Sequence, residues 1–280
     1  MSSQLLKRRP VGGATRKGLT LLELVVVVAI LAALAGILVP LLPSLMYRTH
    51  AATGATNNVE VTKAVQLYAG LTNQQYPNQL DSIVVGSTLA TYVLNGPSAA
   101  PQLSADTLQP GEATALSNAG ITRVAPMIEN PGTTNTTDYQ NDWAATFFPY
   151  GNDVSVTPTF VAPTHAAFIT PAVVAQKFGG NWPGNTSGSK ARYAVFGLGK
   201  FSTIVGTGMD EAPVWFNPGS TNGVSNDPNT TYSRFGLVFQ VADDSGAALT
   251  TASFVGVVEL GGWGVASRDD NLNFFYSETK

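Results

Sequence analysis

Residues 24–46 read LVVVVAILAALAGILVPLLPSLM, 23 positions without one ionisable side chain. A helix of that length reaches about 35 Å, enough to cross a bilayer core. Lys7, Arg8, Arg9, Arg16 and Lys17 precede it, and the first eighteen residues hold no acid. The chain carries a formal net charge of −3, so those five cations leave −8 on the remainder. A cationic head before an apolar run places the N-terminus on the cytoplasmic side and everything after Tyr47 outside. An acidic body with its cations confined to one end argues against nucleic acid as a partner. Charged residues make up only 12% of the chain, a composition that fits an exported protein. The absence of cysteine rules out thiolate catalysis and thiolate metal sites.

Two ordinary readings of this segment are a cleaved secretory signal, with Ala33-Leu34-Ala35 as the cut site, and a plain uncleaved anchor. Neither accounts for Glu23, a carboxylate at the mouth of an apolar run, where a charge costs a few kcal/mol at bilayer depth. Glu23 is therefore a functional candidate on physical grounds alone.

The residues around it, Arg16-Lys17-Gly18-Leu19-Thr20-Leu21-Leu22-Glu23-Leu24, resemble the class III signal of type IV prepilins and type II secretion pseudopilins. The resemblance implies that a prepilin peptidase cuts after Gly18 and methylates the new amine of Leu19. Glu23 then stands at the fifth mature position. There it is expected to pair with the N-terminal amine of a neighbouring subunit, setting register as the helices pack. Leucine replaces the phenylalanine that is usual at the first mature position. Pro40 matches a proline common in pilin stalks, where the lost backbone hydrogen bond lets the helix bend. The resemblance covers about the first fifty residues. It implies a chain held in the inner membrane as a single pass, in contact with lipid, other pilin or pseudopilin subunits and an inner-membrane assembly platform.

The expected organisation is a basic leader over 1–18, a membrane and stalk helix over 19–72, and an extracytoplasmic head over 73–280. Val61, Ala64, Val65, Tyr68 and Leu71 recur at i, i+3, i+4, i+7 and i+10, an amphipathic stripe for packing on the head. Asn57, Asn58, Thr62, Lys63 and Gln66 form the polar face. The Tyr76-Pro77 passage with Leu80 and Ile83 predicts a helix stop at Pro77. It resembles the stretch that follows the stalk helix in pilins.

Short strands or helices are expected at Thr114–Val124, Ala144–Phe148, Thr159–Ile169 and Ala172–Phe178, and short strands at Arg192–Leu198 and Thr203–Val205. Phe235, Leu237, Phe239 and Val241 alternate with their neighbours, and Asp243-Asp244-Ser245-Gly246 supplies a turn. Ser253–Leu260 and Leu272–Tyr276 complete an antiparallel sheet. The fold class is α+β: a long N-terminal helix packed on a β-rich C-terminal head.

The head shows no catalytic constellation. His50 reads as an interfacial residue, and His165 as a structural histidine in an apolar segment. Ser187-x-x-Lys190 lies in a glycine-rich loop with no helix to aim the lysine. Asp269, Asp270, Asn271 and Asn273 offer oxygen ligands for calcium, against the simpler reading of a polar turn. Trp143, Phe147, Phe148, Trp182, Trp215, Phe216 and Trp263 read as core or loop anchors. No other cofactor is expected. The function expected is that of a structural subunit of a type IV pilus or a secretion pseudopilus. The alternatives are a tip subunit with an adhesive head and an enzyme tethered by a pilin-like anchor.

Overall fold

The computed structural model describes residues 21–39, 42–89, 102–126, 160–179, 182–183, 188–199, 201–216, 232–260, 265–266, 268–270 and 272. The chain divides into two units, Met1–Leu45 and Met46–Lys280.

The first unit contains α1 (Leu21–Leu38), a helix with no buried residue. In the second unit, α2 (Leu42–Leu71, its first turn lying in the first unit) lays Val61 and Val65 into the core. Ala64 and Tyr68 pack beside them, as the stripe predicts. Two positions depart from that stripe. Leu71 stands 70% exposed, and the buried face instead runs back through Asn58, Ala55, Gly54 and Ala51. Asn58, assigned above to the polar face, is buried. Its Nδ2 donates to the Val257 carbonyl at 3.2 Å, which satisfies a polar group that would otherwise be costly inside. The helix ends at Leu71, six residues before Pro77. Asn73 and Gln74 take left-handed backbone (φ 54 and 64), and the Gln74 amide caps the Ala69 carbonyl at 2.7 Å.

A nine-stranded sheet forms the body of the head. Its strands are β1 (Leu80–Ser82), β4 (Leu103–Thr107), β5 (Val124–Pro126), β6 (His165–Ile169), β7 (Arg192–Gly197), β8 (Val214–Phe216), β9 (Tyr232–Ala242), β10 (Ala248–Leu260) and β11 (Val265–Ala266). A separate pair joins β2 (Val84–Val85) to β3 (Thr88–Leu89). The main path runs β11-β10-β9-β7-β1-β5. One edge of β7 is shared: Gly197 pairs with Asp81 of β1, and Tyr193–Val195 pair with β6, which carries β4 on its far side. Among the described residues, the strand pairings are antiparallel except β1 with β5, so the sheet is mixed where an antiparallel one was expected.

The long hairpin β9–β10 follows the alternation in its sequence. Phe235, Leu237, Phe239 and Val241 face the core that also holds Val61, Val65, Leu116 and Phe196. Val238, Val258 and Leu260 face a second core with Tyr193, Val195 and Ile169. Both faces of the central strands are thus buried, and Gln240 and Ala242 are buried with them. The helix α3 (Pro110–Asn118) packs on β10 over the first core. On the second, Phe178 ends α4 (Pro171–Phe178) against Gly256, where an added Cβ would stand 2.5 Å from its ring. Between the strands, the Asp243 amide bonds the Ala247 carbonyl, and Gly246 (φ 88) takes the left-handed position of a three-residue loop.

The helix α3 occupies the first part of the 114–124 segment, where a strand or a helix was expected. One expectation shifts here. Residues 203–205 form turns with a lone Val205–Met209 bridge, not a strand. Residues 144–148 lie outside the described residues, as does 273–276.

Candidate functional site

The polar residue with the most distinctive setting is Glu23, in the first turn of α1. Every other side chain of that helix is apolar, on all sides. A carboxylate in the first turn faces the partial positive charge of unsatisfied amides, a favourable placement. The twelve Leu, Val and Ile side chains of α1 are each about half exposed or more, from Val26 at 47% to Leu21 at 81%. Covering what remains of each contributes roughly 1 kcal/mol, on the order of 10 kcal/mol in all. A helix apolar all round belongs in a membrane or among other helices. By length and hydropathy, α1 can cross a bilayer. Gly18, Leu19 and Pro40 lie outside the described residues.

The calcium candidates are only partly described. Asp269 and Asp270 lie in a short helical turn, and Asn271 and Asn273 lie outside the described residues. Lys177 Nζ sits 2.7 Å from both carboxylate oxygens of Asp270. A cation at that carboxylate competes with an ammonium already in place. Among the described residues, no three His, Asp or Glu side chains converge in a metal-binding cluster.

Four other titratable groups of the second unit have settings that the described residues define: His50, His165, Tyr193 and Asp243. Burial pushes the His50 imidazole below its ordinary value, which favours the neutral ring. His165 Nδ1 lies 3.1 Å from Thr164 Oγ1 at the start of β6. Burial, and then the charge of Asp244, push the Tyr193 phenol up to about 12. Tyr193 thus remains a neutral donor, bonded to the Pro183 carbonyl. Asp243 Oδ1 accepts from the Ser245 amide, the Ser245 hydroxyl and the Ala247 amide, so it builds the hairpin turn. Ser187 lies outside the described residues. Trp182 packs against the second core.

Two polar organisers went unread in the sequence. Arg192 Nε contacts the buried Glu112 Oε1 at 3.0 Å, and its Nη2 contacts Asp106 Oδ2 at 3.1 Å. The guanidinium lies 4.0 Å above the Phe168 ring centroid. Glu112 Oε2 also accepts the Gln109 amide at 2.9 Å, half of a capping box. Gln109 is not a usual capping residue; the readable signal for this helix start was Pro110 in the first turn with Glu112 two residues on. The second organiser is Asn78. Its Oδ1 accepts the amides of Gln79, Thr122 and Arg123, its Nδ2 donates to Thr122 Oγ1, and its backbone amide bonds Thr203 Oγ1.

Residues 14–39 match the family model described as a prokaryotic N-terminal methylation motif. No curated protein and no solved structure matches the chain. The match takes in Gly18, Leu19 and Glu23 together with all of α1, and it stops short of the head.

Proposed function

We propose that this chain, which carries the N-terminal methylation motif that is the hallmark of type IV pilin and pseudopilin signals, is a structural subunit of a pilus or secretion pseudopilus. The observation that carries the reading is Glu23, set in the first turn of a helix that is apolar on every side and lies within the matched motif.

The mechanism has three steps. The chain waits in the inner membrane, its basic leader held in the cytoplasm and its head outside. Prepilin peptidase cleaves after Gly18 and methylates the Leu19 amine. The assembly platform then draws the subunit out of lipid, and α1 exchanges lipid contacts for those of neighbouring α1 helices. In that apolar bundle a lone carboxylate is costly, and an ammonium from the next subunit relieves the cost. The pair fixes the axial register of one subunit on the next, because any other register leaves both charges buried and unmatched. The acid-rich head, built on its own two-faced core, supplies the outer surface and needs no chemistry for this role.

The test is the mature N-terminus. Full-length protein co-expressed with a prepilin peptidase is expected to begin at methylated Leu19 by mass spectrometry. A start at Met1, or one after Ala35, overturns the reading.

A further inference from the structure

One face of α2 points away from the head's core along its whole second half. Thr53, Thr56, Glu60, Lys63, Leu67 and Leu71 follow at steps of three and four, and all six are exposed. This is the spacing of a helix-packing seam, on the side opposite Asn58, Val61 and Val65. The seam is drier than its sequence reads. Thr53 Oγ1 donates to the Thr49 carbonyl at 2.9 Å and Thr56 Oγ1 to the Ala52 carbonyl at 3.0 Å, so both hydroxyls are already satisfied by the helix. Leu67 is 58% exposed and Leu71 70%.

Beside the seam lies a groove of about 240 Å³ between α2 and the loop before β8. Val61, Ala64, Met209 and Pro213 give it an apolar lining, and its two charged lining residues, Glu60 and Glu211, are both acids. Such a site fits a lysine: the alkyl stem lies on the apolar floor and the ammonium meets the carboxylates. The chain carries that lysine itself. Lys63 stands on the seam, next to Leu67, one turn from the groove.

We infer that the outward face of α2 and the Glu60–Glu211 groove form a contact between copies of this chain, with Lys63 of one copy seated in the groove of the next. This rests on the assembly role proposed above and adds a second interface, in the head, to the one made by α1. In the filament proposed above, each copy passes its Lys63 to the next in a heterologous contact, in place of the reciprocal exchange that would close a two-fold dimer.

The native chain has no cysteine, so any disulfide is diagnostic. Lys63→Cys and Glu211→Cys chains are co-expressed at full length with the assembly machinery, oxidised, and resolved without reductant. A mixed disulfide-linked dimer in the sheared filament fraction is expected. Lys63→Glu, which sets like charges against the groove, is expected to lower filament yield about tenfold. Adding Glu60→Lys and Glu211→Lys to that chain is expected to restore it, with the urea midpoint of each variant unchanged. Filaments that form at wild-type yield from Lys63→Glu, with no mixed dimer, overturn this contact and leave the assembly role standing. If the unmodified chain is cleaved at Leu19 yet never enters a filament, the assembly role falls, and this contact with it.

Discussion

Replacing Glu112 with alanine removes two contacts at once. Its side chain is 3% exposed and faces an Arg192 side chain that is 25% exposed. Losing the carboxylate leaves the guanidinium mostly buried, with Asp106, itself 57% exposed, the Thr107 carbonyl and the face of Phe168 still against it. Breaking a buried pair costs about 3–5 kcal/mol. Arg192 keeps some solvent and these weaker contacts, so the lower end, about 3 kcal/mol, applies. The Gln109 amide also loses its cap, for about 1 kcal/mol more. The expected total of about 4 kcal/mol contrasts with less than about 1 kcal/mol for Asp106→Ala, an exposed partner of the same cation. With a urea m-value of about 3 kcal/mol/M, Glu112→Ala moves the unfolding midpoint down by about 1.3 M. The assay is urea titration of the full-length protein in detergent, followed by tryptophan fluorescence. A double-mutant cycle with Arg192→Met is expected to give a coupling of about 2–3 kcal/mol. A Glu112→Ala midpoint close to that of Asp106→Ala refutes the claim that burial, and not charge alone, makes this pair matter.

Glu23→Ala is expected to leave membrane insertion and cleavage at Leu19 intact while reducing filament incorporation at least tenfold, read by immunoblot of sheared filaments; normal incorporation removes the charge-pair account. Asn78→Ala strips three amides and one hydroxyl of their partner at the junction of the 76–79, 122–123 and 203 segments, and is expected to cost about 2–3 kcal/mol in the same urea titration. Asp243 is held below its ordinary 3.8 chiefly by the Ser245 hydroxyl, then by the Ala247 amide. A group depressed in the folded state stabilises it above the unfolded value and loses that contribution as pH falls through the folded value. Wild type is thus expected to lose stability relative to Asp243→Asn only below about pH 4, measured by urea midpoints from pH 2.5 to 7.

Much of this architecture was legible because it is local. The α2 stripe at Val61 and Val65 and the β9–β10 hairpin with its Asp-Asp-Ser-Gly turn repeat a period that the chain carries within a few residues, and α1 is an unbroken apolar run. The misreadings have a common cause in partners that are distant in sequence. Asn58 looked solvated because its acceptor, the Val257 carbonyl, lies 199 positions away. Residues 203–205 looked like a strand, but Asn78 engages Thr203 and holds that segment in turns. The parallel pairing of β1 with β5 depends on where α3 returns the chain, which no alternation encodes.

The sequence by itself determined that this protein carries a prepilin-type signal, that Glu23 opens an otherwise apolar helix, and that the fold is α+β. Those facts need only the order of charges and apolar residues along one segment, because lipid and peptidase read the chain locally. The tertiary structure alone decided which polar residues go inside, as Glu112, Asn58 and Arg192 show, and which apolar ones stay out, as Leu67 and Leu71 show. Burial is a property of the surface that arrives from elsewhere in the chain. It also brought Glu60 of α2 and Glu211 of a distant loop to one groove, a juxtaposition that folding creates and no local pattern announces.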